Sequence, residues 1–135
     1  MSAAPSERRS EPVEIGEGGR YLEDYNVGQR FRSGRLRIDK ERIKRFAEEF
    51  DPQPFHLDEV AARDTIFRGL AASGWYTAAV TMRLLVESDL KPAGGIVGAG
   101  ADEFRWPRPV RPGDELRIET KCSRSARRGR ARIKD

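Results

Sequence analysis

Residues 73–87, Ser-Gly-Trp-Tyr-Thr-Ala-Ala-Val-Thr-Met-Arg-Leu-Leu-Val-Glu, put apolar side chains around most of the circumference of a helix. Ala78, Ala79, Met82, Leu85 and Val86 form one stripe, Trp75, Val80 and Leu84 widen it, and Arg83 is the main charge before the end. A helix with so little polar face cannot lie on a surface, so the other elements are expected to pack around it, with Met82 as a core residue. Ser73 is a good N-cap, and Gly74 follows it with no side chain to cover the unpaired N–H groups of the first turn. That glycine can admit a ligand to the helix N-terminus, or it can simply let the helix pack closely on a sheet.

With 135 residues, 37% of them hydrophobic, the chain has material for one domain with a single core. No run approaches the roughly 18 apolar residues that cross a bilayer, so no membrane association is expected. Cys122 stands alone and His56 is the only histidine, which excludes an internal disulfide and leaves no zinc constellation. A cytoplasmic location is the default expectation. The net charge of +4 is local: residues 121–135 carry seven Lys/Arg against Asp135, whereas the other 120 residues carry 19 basic and 21 acidic side chains. No aromatics interleave with that basic tail, so nucleic acid is not expected as a partner.

Residues 1–20 lack apolar periodicity and read as a disordered leader, with the domain running over 21–135. Gln29–Ile38 alternates loosely as a strand. Asp39 is placed to cap a short amphipathic helix carrying Ile43, Phe46, Ala47 and Phe50 and ending at Asp51. Ile96–Trp106 and Glu115–Cys122 are expected as consecutive strands joined by a Pro/Gly-marked connection, and Arg130–Lys134 could begin another. The class is α+β, an antiparallel sheet packed on one central helix.

Between the two helices lies Asp51-Pro52-Gln53-Pro54-Phe55-His56. The two prolines bias Asp51 and Gln53 away from helical geometry and predict a stiff extended turn holding a carboxylate and an imidazole at a set separation. Such a pair suits acid/base chemistry near neutral pH, and it equally suits an inert hydrogen-bonded pair.

Asp51–Asp58 resembles the hydratase signature of the MaoC-like dehydratases, which include the (R)-specific enoyl-CoA hydratases. The resemblance extends from Tyr25-Asn26-Val27-Gly28-Gln29 through Pro109-Val110-Arg111-Pro112-Gly113-Asp114. It implies the hotdog fold, an antiparallel sheet wrapped around one long central helix. It implies reversible addition of water to a trans-2-enoyl thioester, with Asp51 and His56 as the catalytic pair and the Gly74 N–H as oxyanion donor. Phe55 and Ser73 are then candidate substrate contacts, and Arg68, Arg105, Arg108 and Arg111 are candidates for the phosphates of coenzyme A, which enters as part of the substrate. No metal or redox cofactor is implied.

The chain departs from the family pattern in four places. Gln53 stands where many members carry asparagine, Ser73 where many carry histidine, and Met82 where some carry a supporting serine. The chain also stops at Asp135, before a further strand usual in the family, so its domain is expected to be short at the C-terminus. An uncovered strand edge, together with the family's habit of joining sheets edge to edge, implies a homodimer or higher oligomer. A thioesterase on the same fold, or a non-catalytic acyl-CoA-binding or structural subunit, are the alternatives.

Overall fold

Asp39 has extended backbone and accepts a hydrogen bond from the Glu41 N–H, so helix α1, Lys40–Phe50, starts where the cap directs it. Its inner face buries Ile43 and Ala47 completely. The computed structural model describes residues 18–123. Around α1 stand the short strands β1, Arg30–Arg32, and β2, Leu36–Arg37; the single helical turns α2, Pro54–Leu57, and α3, Glu59–Ala62; helix α4, Gly74–Val86; and strands β3, Glu115–Leu116, and β4, Glu119–Lys121.

The strands form two antiparallel pairs, β1 with β4 in the register Phe31 to Thr120, and β2 with β3 in the register Leu36 to Leu116. The expected strand over Gln29–Ile38 is therefore split. At the break the Ser33 hydroxyl accepts from the Ile118 N–H and its own N–H donates to the Ile118 carbonyl, so the ladder bends without losing pairing. Beyond β2, the Ile38 N–H donates to the Asp114 carbonyl at 2.7 Å and the Ile38 carbonyl accepts from the Gly113 N–H at 2.8 Å. The Arg111–Asp114 turn beginning that arm has Pro112 at its second position and Gly113 at its third with φ +89°, the region a type II turn requires.

One side of this ladder packs on α1 and α4. The buried core consists of Ile38, Ile43, Leu70, Ala72, Val80 and Leu84, with Leu36, Tyr76, Val110, Leu116 and Ile118 partly buried against it. The helix expected at the middle of the domain is α4, and it is covered on one side among the described residues. Among the described residues of α4 only Val80 and Leu84 are buried, while Trp75, Met82 and Val86 are exposed. Met82 is accordingly not a core residue of this chain. The expected strand at 96–106 is also absent, since none of its backbone groups pairs with another described residue. Gly98 and Gly100 disfavour extended structure, and no described strand lies beside the segment to pair with it. The possible strand at Arg130–Lys134 and residues 1–17 lie outside the described residues. Arg20, at the start of them, exchanges backbone hydrogen bonds with Lys91 and Ala93.

Candidate active site

The two prolines act at different places. Asp51 and Gln53 have non-helical backbone, as expected next to proline, but Pro54 sits at the first position of α2, where a missing N–H costs nothing. The stiff turn thus becomes one extended step followed by one helical turn, which rotates His56 inward. Its ring is buried at 5% exposure and wedged between Phe55, 4.6 Å away edge-on, and Phe67 at 6.0 Å.

Each nitrogen of the buried imidazole has a defined neighbour. Nδ1 lies 2.7 Å from the Ala71 carbonyl oxygen. A carbonyl only accepts, so Nδ1 carries the proton and Nε2 is the nitrogen left for chemistry. Nε2 lies 3.3 Å from Asp51 Oδ2. Asp51 is fixed in turn by two donors, the Gln53 amide to Oδ1 at 2.6 Å and the Ser73 hydroxyl to Oδ2 at 2.7 Å. Burial pushes the Asp51 carboxyl up, but the hydrogen bonds from Gln53 and Ser73 and the neighbouring imidazole outweigh it, and its pKa lies below the ordinary aspartate value of 3.8. Asp51 is therefore held as a carboxylate.

Ser73 is fully buried and does two jobs with one oxygen, donating to Asp51 and accepting from the Trp75 N–H as N-cap of α4. The next residue, Gly74, has an N–H with no hydrogen-bond partner among the described residues. The segment 71–74 thus orients His56 through Ala71, Asp51 through Ser73, and presents a free N–H through Gly74.

His56, Gln53, Phe55, Phe67 and Gly74 line one cleft of about 590 Å³ together with Thr77, Trp106, Arg108 and Arg111. Asp51 and Ser73 are not part of that lining and stand behind it. Of the candidate phosphate contacts, Arg108 and Arg111 reach the cleft. The Arg111 guanidinium is committed to the carbonyls of Phe67 and Leu70. Arg68 opens instead onto a neighbouring polar recess with Lys40, Glu59 and Arg63, and Arg105 is paired with Glu103 at 2.7 Å. A separate apolar recess of about 430 Å³, between Tyr25, Leu90, Val97 and Cys122, contains neither carboxylate nor imidazole. Among the described residues no cluster of His, Cys, Asp or Glu could hold a metal, and no helix is long and apolar enough to cross a membrane.

Sequence reasoning missed Gln53 as the second clamp on Asp51, Phe67 as a wall of the imidazole, and Trp106. Gln53 lay in plain view between the prolines, but nothing in the sequence connected Phe67 or Trp106 to the turn.

Solved structures of similar fold place the chain in a class. A MaoC-like dehydratase from Rhodospirillum rubrum is 64% identical and superposes with a TM-score of 0.73 over 76% of this chain and 70% of that one. An (R)-hydratase from A. caviae involved in PHA biosynthesis is 29% identical, with a TM-score of 0.59 over 75% of this chain and 74% of its own. The chain is a hotdog-fold protein of the hydratase/dehydratase type. The MaoC like domain profile matches residues 24–135, and the chain belongs to that family. Among the curated relatives, the uncharacterized protein YdeM of Bacillus subtilis (strain 168) is 38% identical over 95 residues, 70% of this chain and 67% of YdeM.

Proposed function

We propose that this protein is a hydro-lyase that adds water reversibly to a trans-2-enoyl thioester, with coenzyme A as the carrier. The observation that carries the reading is the 3.3 Å approach of His56 Nε2 to an Asp51 held ionised by Gln53 and Ser73, beside an unpaired Gly74 N–H in the same cleft wall. In the hydration direction a water held by Nε2 on the cleft side attacks C3 of the enoyl group. Nε2 takes the water proton as the C3–O bond forms, and the π electrons move onto the thioester carbonyl as an enolate. The Gly74 N–H, at the positive end of the α4 dipole, receives the enolate oxygen. Delivery of the proton from Nε2 to C2 completes the 3-hydroxyacyl thioester and restores the neutral imidazole. With its pKa pushed down, Asp51 is suited to orienting the imidazole from behind and stabilising the imidazolium rather than to carrying the proton itself.

Arg108, at the cleft wall, is the favoured contact for the CoA phosphates. Trp75, Met82 and Val86, exposed on α4, support a homodimer in which a second copy covers this face. The test is a spectroscopic assay with crotonyl-CoA that follows enoyl absorbance and free thiol together. Loss of absorbance without thiol is expected. Thiol release would make the protein a thioesterase, and no change in either would make it a non-catalytic subunit. His56→Ala should lower hydration at least about 10²-fold.

A further inference from the structure

The indole of Trp106 lies flat against the first residue of α4. A Cβ added to Gly74 would stand 2.8 Å from Trp106 Cε2 and 3.0 Å from Cδ2, closer than real contacts allow. The glycine is thus required by the indole as well as by the helix N-terminus. Trp106 stacks on Phe104 at 5.9 Å with only 9° between their planes, and Trp75 meets both rings edge-on at 5.6–5.8 Å. All three rings are exposed, Trp106 least at 44%, and Trp106 lines the cleft that also holds His56 and Gln53. The exposed part of the indole faces the cleft in which anything between the Gly74 N–H and the imidazole would lie.

We infer that Trp106 is a specificity-determining residue, the platform on which a planar, conjugated acyl group lies when its carbonyl reaches the Gly74 N–H. The inference rests on the thioester reading above and adds the class of acyl group selected. A conjugated C1–C3 unit is flat and polarisable and stacks on an indole face, whereas a saturated chain of the same length is staggered and makes fewer contacts. The preference expected from one such stacking contact is about threefold to tenfold.

The chain has two tryptophans, so Trp75→Phe leaves Trp106 as the single indole reporter while keeping the aromatic brace. In stopped-flow fluorescence before turnover, crotonyl-CoA should change Trp106 emission saturably and bind more tightly than butyryl-CoA, its saturated four-carbon counterpart. With Trp75 retained and on the inactive His56→Ala background, Trp106→Ala should weaken crotonyl-CoA by about threefold to tenfold and butyryl-CoA by less than about twofold, as read by isothermal titration calorimetry. Trp106→Phe should retain most of the preference. Gly74→Ala should reproduce the Trp106→Ala loss, and adding it to Trp106→Ala should cost little more, because the two act through one contact. Equal losses for both thioesters, additive effects of the pair, or a fall in oligomer mass accompanying the Trp106→Ala loss would each overturn the assignment. A parent that binds neither thioester would remove the thioester reading itself and this inference with it, an outcome distinct from a parent that binds both without regard to Trp106.

Discussion

Asp51 is the residue on which the most forces converge, and its ionisation has a consequence for stability as well as for chemistry. Its pKa is lower in the folded protein than the ordinary 3.8, so the folded state binds this proton less readily than the unfolded chain. The stabilisation it contributes is complete above the ordinary carboxylate range and disappears as the pH falls through the folded pKa. The difference in thermal midpoint between the parent and Asp51→Asn should therefore be largest near about pH 6 to 7 and shrink toward about pH 3. A difference independent of pH would show that the carboxylate is not the group being held. Ser73 supplies one of the two clamps without lining the cleft. Ser73→Ala should lower kcat about tenfold or more, the scale of one hydrogen bond to a charged group, with KM little changed. It should also cost about 0.5–2 kcal/mol of stability for the lost cap, measured by denaturant unfolding. A rise in KM with kcat intact would mean that the hydroxyl meets substrate instead. The Asp51–His56 relation was legible in the sequence because two prolines confine it to six residues. Trp106 was not, since the contact with Gly74 spans 32 positions and depends on a connection without regular structure.

At the level of elements, α1 and α4 were readable from periodicity and caps, and their starts at Lys40 and Gly74 follow Asp39 and Ser73 directly. The strands were less so. Period-two alternation at Gln29–Ile38 gave no sign that Ser33 would bend the ladder, and the apolar residues of Ile96–Trp106 read as a strand although pairing depends on a neighbour that the segment itself cannot reveal. The joint between α1 and the ladder is where element packing concentrates, because Ile38 and Ile43 are both essentially inaccessible and belong to one cluster with Val80 and Leu84. Ile43→Ala should cost about 2–5 kcal/mol in chemical denaturation, whereas Ile43→Val should cost about 0.5–1.5 kcal/mol. Near-equal small losses would mean that α1 does not anchor the sheet.

On the scale of the whole molecule, a helix apolar nearly all round is buried on one side among the described residues. The sequence pattern announced a helix with little polar face, but it could not say that among the described residues only Val80 and Leu84 of α4 would be buried. Light scattering at micromolar concentration should give a dimeric mass, and a charge placed on the exposed face, as in Met82→Glu, should shift the protein toward monomer. A monomer in the parent would leave the exposed face to be explained some other way.

The four-residue run from Ala71 to Gly74 has a mechanical consequence. Ala71 is also tied back to α2, its N–H donating to the Phe55 carbonyl at 3.0 Å, so the imidazole, the carboxylate clamp and the free N–H all ride on one short stretch of backbone. A displacement of that stretch would therefore reach the imidazole, the carboxylate and the N–H together. Sharing one support ties their mutual alignment to that stretch, much as instruments bolted to one bench are registered to each other by the bench.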